Sequence, residues 1–251
     1  MRTFGLLICI TLFTLFAAGQ QRKPDRQIDG YKGGVKRVVT ERADLELQKG
    51  RLIETKRRLA EDMYYDRAGN RSRSLSYDYI SGLLRERATY KTLDGESVVS
   101  FDYEDAPGAM IGITSPTPDP ETYDPRYDFK FKYKTDAAGN ITEEAWWKSN
   151  GKLWLRYVYS FGVDKKTELV FSPDGKLDQK YVYIYDPSGN VDERILYDTD
   201  HDRPSEKVVY KYLAFDEKGN WIKRSESSGD DKSNFKQKPR EMTYRKITYY
   251  P

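Results

Sequence analysis

The pentapeptide D-x-x-G-N occurs four times in this chain, as DRAGN (66–70), DAAGN (136–140), DPSGN (186–190) and DEKGN (216–220). No other feature restricts the fold as much. Aspartate at the first position accepts backbone N–H groups two or three residues on, and Gly and Asn at the end tolerate the left-handed backbone that reverses the chain. Asp66, Gly69 and Asn70, Asp136, Gly139 and Asn140, Asp186, Gly189 and Asn190, and Asp216, Gly219 and Asn220 are therefore read as structural turns. Tyr65, Tyr185 and Phe215 stand directly before three of them, and Tyr133 precedes the other by three residues. Weaker turns fall between: LDGE (93–96), SNGK (149–152), PDGK (173–176) and a degenerate GVDKK (162–166).

The segments between turns alternate with period two, which is the strand signature. In 152–161, Leu153, Leu155, Tyr157, Tyr159 and Phe161 share a face. In 176–185, Leu177, Tyr181, Tyr183 and Tyr185 share the matching face, with Asp178, Lys180 and Val182 opposite. Aromatic and β-branched residues lose rotamer freedom in helices, which disfavours that alternative. The expected fold is all-β, with antiparallel β-hairpin repeats forming an elongated, twisted or curved meander sheet. Mean hydropathy is −0.85, yet 14% of residues are aromatic, and these supply a core where Leu and Ile are sparse.

Two regions interrupt the rhythm. Residues 104–127 hold Pro107, Pro116, Pro118, Pro120 and Pro125, which forbid an interior strand and make a Pro-rich loop. In 41–63, Leu45, Leu52 and Leu59 are spaced as on a short helix, but a hairpin turning at Gly50 fits better with the strand that follows. The chain ends in a strand over 240–250. An open meander has two edges, and Pro239, Arg240, Glu241, Arg245 and Lys246 read as protection of the last one.

Residues 1–19 read as a signal peptide: Arg2, an apolar run from Phe4 to Phe16, and small Ala17 and Gly19 before a cut at Gln20. That run is shorter than the roughly 20 residues of a membrane helix. No stable membrane span remains after cleavage, and the expected location is secreted, periplasmic or cell-surface. Cys9, the only cysteine, leaves with this segment. The remainder divides into 20–103 with N-terminal hairpins, the 104–127 loop, and the repeat block 128–251, with 20–251 one continuous domain. Loss of Arg2 takes 43 basic residues against 40 acidic ones to 42 against 40. With both signs interspersed, nothing points to nucleic acid.

The string G-K-L-x-x-x-Y-V-Y-x-Y-D-x-x-G-N-V from Gly175 to Val191 resembles the YD repeat of bacterial Rhs proteins and animal teneurins. Weaker matches lie at 63–71, 131–141, 151–161 and 210–222. The opening IDGYKGGVKRVVTE and the ending REMTYRKITYY look like those of short secreted bacterial members. The resemblance implies a spiralling β-sheet and an exported protein. It implies no activity, because the chain lacks the length of a closed shell, the family's processing segment and a toxin domain.

Two candidate sites follow. Asp198, Asp200 and Asp202 alternate, with Glu206 following, as hard oxygen ligands of a calcium loop would. Arg203 and Val209 stand where such a loop needs Gly and Glu, so a solvated acidic turn is the rival reading. Trp146, Trp147 and Trp154 cluster near Tyr157 and Tyr159 and are candidate ligand-binding residues. Adjacent Trp146 and Trp147 must point to opposite faces of a strand. His201 is the only histidine, and no catalytic residue is assigned. The expected function is a non-catalytic secreted or envelope β-repeat scaffold that binds polysaccharide or a surface protein, without a cofactor other than calcium. The alternative is a secreted carboxylate-dependent hydrolase acting on glycans.

Overall fold

The computed structural model describes residues 22–93, 96–103, 128–148 and 150–251. Residues 1–21, which hold the expected signal peptide, Asp94 and Gly95 of LDGE, the proline-rich segment 104–127 expected to be a loop, and Ser149 of SNGK lie outside the described residues. One turn of helix, α1 (Asp25–Ile28), precedes β1 (Val35–Gln48), β2 (Arg51–Glu54), β3 (Arg58–Tyr65), β4 (Arg71–Tyr77) and β5 (Leu84–Leu93). Then come β6 (Glu96–Tyr103), β7 (Asp128–Thr135), β8 (Ile141–Lys148), β9 (Leu153–Phe161) and β10 (Lys165–Phe171). The last are β11 (Leu177–Tyr185), β12 (Val191–Asp198), β13 (Arg203–Phe215), β14 (Trp221–Asp230) and β15 (Lys238–Tyr249). Residues 41–63 adopt the hairpin, turning through Lys49 (φ 51°) and Gly50 (φ 78°), the left-handed pair that a two-residue loop requires.

From β3 onward each strand pairs with its sequence neighbour, all antiparallel, while β2 hangs on β1 alone. The last strand then pairs with the first, with Val38 opposite Ile247, Thr40 opposite Arg245 and Arg42 opposite Thr243. This pairing closes β1 and β3 to β15 into a fourteen-stranded barrel.

The all-β antiparallel class holds, but the expected open, elongated meander is wrong. The YD-repeat (Rhs/teneurin-like) assignment fails with it, because the strands return on themselves in one closed wall instead of an extended repeat sheet. The expected edge protection fails as well. Each edge exposes a row of unpaired N–H and C=O groups, and pairing the two edges satisfies both rows at once. Arg245 and Glu241 turn inward on a paired strand, while Lys246 faces out.

Directly opposed residues share a face, so the registers sort the wall into lumen and exterior. The lumen receives the tyrosines expected to form one face, including Tyr157, Tyr159, Tyr181 and Tyr183. It also receives Glu61, Glu144, Glu168, Arg194, Glu206, Arg224 and Arg245. The exterior carries Arg73, Arg87, Lys130, Lys132 and Lys211, all exposed at mid-strand. Two apolar clusters lie inside. Val35, Val38, Met63 and Tyr65 form one, and Ala88, Val99, Phe129 and Phe131 the other.

The four D-x-x-G-N turns all lie at one end of the barrel, since each follows an odd-numbered strand running the same way. Residues 22–34 form a strap across this end. Lys23 N–H donates to the Gly139 carbonyl at 3.1 Å and Arg26 N–H to the Gly69 carbonyl at 2.9 Å. Lys32 N–H donates to Asn220 Oδ1 at 2.7 Å, and Asn220 Nδ2 returns a bond to the Lys32 carbonyl at 3.0 Å. Gly69 has a φ of +94°, which favours glycine, and a Cβ there would also push the Arg26 side chain, 2.8 Å away, out of its place over the turn.

Candidate functional site

Beneath the strap lies a luminal cavity of about 560 Å³. The strap contributes Arg22, Asp25, Ile28 and Asp29, and the wall contributes Arg71, Tyr90, Phe131, Tyr133, Glu144, Trp146, Tyr157, Tyr159 and Lys166. Strand alternation aims the wall residues inward, and the strap fixes the roof.

The roof is held by charge. Asp29 accepts Arg71 Nε at 3.1 Å, pairs with Arg71 Nη2, and accepts the Tyr65 hydroxyl at 2.5 Å. Asp25 accepts the Arg71 backbone N–H at 2.8 Å and pairs with Arg22. Burial opposes the Arg71 charge, but Asp29 more than offsets this and holds the guanidinium well above its ordinary pKa. Arg22 also stands 4.3 Å from the centre of the Tyr133 ring.

The floor is aromatic and carries one carboxylate. Trp146 lies 5.1 Å from Phe131, 6.0 Å from Trp154 and 6.5 Å from Tyr157, ring centre to ring centre. Tyr157 and Tyr159 are nearly parallel, at 7° and 6.4 Å. Burial pushes the Tyr157 hydroxyl up to about 12. Glu144 accepts the Trp146 indole N–H at 2.5 Å. Burial raises its pKa, against a downward pull from that bond and from Arg71 and Arg22. Lys166 stands between Tyr159 and Tyr183, 5.3 and 4.3 Å from their ring centres, and pairs with Glu168 at 3.1 Å. Rings for stacking, one carboxylate and flanking cations suit a polyhydroxylated ligand.

The structure brings Trp146 and Trp154 together inside the barrel. Trp147 sits on the outer face between Lys130 and Leu153, and its indole N–H finds no partner. The acidic turn lies at the opposite end of the barrel from the strap. There Asp198 accepts from the Asp200 N–H at 3.0 Å and pairs with His201 Nδ1 at 2.8 Å, while Arg203 approaches to 3.7 Å. Asp202 pairs with Lys180 at 2.5 Å, and Glu206 turns into the lumen, 3.5 Å from Arg240. Among the described residues, no group of three His, Cys, Asp or Glu side chains is arranged to hold a metal.

In each D-x-x-G-N turn the aspartate accepts from the backbone N–H of the closing asparagine, at 2.9 Å. The Asn140 side chain also donates to Asp136, and that bond lowers the Asp136 pKa. Sequence reasoning missed a second duty. Asn140 Oδ1 accepts Lys23 Nζ at 2.6 Å, and Asn220 binds Lys32 and the Tyr249 hydroxyl, so these turns also clamp the strap. It also missed Arg71 and Glu144. Their signal was present as charges on the tyrosine-bearing face, which a solid core would exclude.

No family model matches the chain, and no curated protein matches it. Among solved structures it is similar to a porin-like protein from Bacteroides uniformis ATCC 8492. Identity is 11%, 87% of this chain and 98% of that one are covered, and the TM-score is 0.47, a likeness too slight to carry an argument. No helix among the described residues is long and apolar enough to cross a membrane, which says nothing of a β-barrel.

Proposed function

We propose that this protein is a non-catalytic barrel of the bacterial envelope, bathed in water, whose lumen binds a saccharide. The cavity under the strap carries this reading. Phe131, Trp146 and Tyr157 offer ring faces to sugar C–H groups, while Glu144 and Lys166 offer acceptor and donor to hydroxyls. The strap carboxylates Asp25 and Asp29 are engaged by Arg22 and Arg71, and luminal Glu168 by Lys166, so none stands free as a catalytic partner for Glu144. That supports binding over the glycan hydrolase alternative.

The exterior supports a water-facing barrel. A charged Lys or Arg on the lipid face costs roughly 2–4 kcal/mol at the bilayer midplane. Arg73, Arg87, Lys130, Lys132 and Lys211 sit at mid-strand on several sides of the wall, where an apolar band would be needed. The exported chain should therefore fractionate without detergent.

Titration calorimetry of the mature chain against a panel of neutral and acidic oligosaccharides tests the proposal. Saturable binding, lost in Trp146→Ala and retained in Trp147→Ala, is the expected result. No binding by any panel member, or equal loss in both variants, overturns the luminal site. Recovery of the folded chain only in detergent-extracted membranes overturns the water-facing barrel.

A further inference from the structure

Farther around the lumen, Trp221, Arg224 and Arg245 form a second polar centre that neither the cavity nor the turns use. The Arg245 guanidinium carbon stands 3.5 Å from the centre of the Trp221 ring and 5.0 Å from that of Tyr31 on the strap. Arg224 stands 4.5 Å from the same Trp221 ring and 4.3 Å from Tyr210. The Nε–H of each arginine is buried and has no hydrogen-bond partner. Among the described residues, neither guanidinium has a carboxylate within ion-pair distance, although the barrel forms such pairs freely elsewhere. The nearby acids stand farther off: Glu241 pairs with Arg42 at 3.7 Å and acts on Arg224 at longer range, Glu226 lies two positions along the same face from Arg224, and Glu61 acts on Arg245 at longer range.

Two like charges gathered in one wall, with Glu61, Glu226 and Glu241 near them but none in ion-pair contact, are unfavourable unless something closer supplies a counter-charge. A guanidinium stacked on an indole can present N–H groups at its edge, the geometry that grips an oxyanion with parallel bonds; Arg224 also reaches the Tyr212 hydroxyl, while the Nε–H of each arginine stays unpaired. We propose that Arg224 and Arg245, stacked on Trp221, form a luminal oxyanion site that takes a phosphate, sulfate or carboxylate group. Tyr31 places the strap against this site as well as against the cavity, so an oxyanion bound here would tighten the closed end.

Titration calorimetry of the mature chain with inorganic phosphate, sulfate and acetate, at ionic strength fixed with sodium chloride, provides the test. At least one oxyanion should bind saturably, and Arg245→Gln and Arg224→Gln should each weaken it at least tenfold. The relative affinities of the three anions distinguish phosphate, sulfate and carboxylate as the natural group. Arg245→Gln should still bind any saccharide found for the cavity, which separates failure of this site from failure of that one. If Arg245→Gln does not fold, Arg224→Gln and a saturable rise in wild-type melting temperature beyond that given by chloride decide the question. No saturable binding by any of the three anions, or wild-type affinity in the folded variants, overturns the proposal.

Discussion

Asp29→Ala removes the carboxylate that joins the strap to the barrel wall, and the structure sets the size of the loss. Removing one partner of a buried ion pair costs about 3–5 kcal/mol, because the other charge is left uncompensated. Here the side chains of Arg71 and Asp29 keep 34% and 17% of their exposure, which places the effect near about 3 kcal/mol, at the low end of that range. The Tyr65 hydroxyl also loses its acceptor, worth roughly 1 kcal/mol. A total of about 4 kcal/mol is a large share of the 5–15 kcal/mol that holds a typical domain folded. Removing both charges should restore much of it, since paired charges and apolar replacements of like size differ little. Equilibrium unfolding in urea, followed by tryptophan fluorescence, should thus give Asp29→Ala, Arg71→Met and the double variant a coupling of about 2–3 kcal/mol. A loss below about 1 kcal/mol for Asp29→Ala, with additive variants, would refute the claim that this pair fastens the strap.

Two other consequences are open to direct measurement. Asn220→Ala removes the side chain that grips Lys32 and Tyr249, and should lower stability by roughly 1–3 kcal/mol and speed amide exchange in residues 31–34 before it does so elsewhere. Burial lifts Glu144 above its ordinary value of 4.5, so the folded state holds this proton more tightly than the unfolded state does. The stability it contributes is full below about 4.5 and is lost as pH rises through the folded value. Glu144→Gln should therefore gain stability relative to wild type between pH 4 and pH 7, seen as a flatter pH dependence in urea unfolding, and an unchanged slope would contradict the burial argument.

Much of the wall was legible in the sequence because its signals are local. The Asp, Gly and Asn of each turn act within five residues, and the tyrosine alternation of β9 and β11 needs only period two. Closure was not legible, because it joins Val38 to Ile247 across most of the chain and no single strand encodes it. The polar lumen hid it further. In a solid sheet, Arg245 beside Tyr244 suggests an edge, whereas a barrel can carry charge on both faces, with Arg245 in the lumen and Lys246 outside. The strap was hidden for the same reason, since Asp29 finds Arg71 and Lys32 finds Asn220 through separations that no pattern spans. For the candidate site, the sequence picked out Trp146 and Trp154 by composition and the opposite facing of Trp147 by geometry. It could not tell inside from outside until the sheet was closed.

Closure itself is the claim on which the lumen, the strap and both proposed sites depend, and one cross-link tests it. Val39 and Lys246 are directly opposed on the outer face of the β1–β15 pair, and the chain after Cys9 contains no native thiol. Opposed strand positions place Cβ atoms roughly 4.5–5.5 Å apart, close enough for a disulfide after slight adjustment. Val39→Cys with Lys246→Cys should form an intramolecular disulfide in near-quantitative yield under mild oxidation, seen as a mobility shift reversed by reductant. Val39→Cys with Lys180→Cys should not. Failure of the first pair to cross-link in the folded protein, or equal cross-linking of both, would contradict the closed barrel.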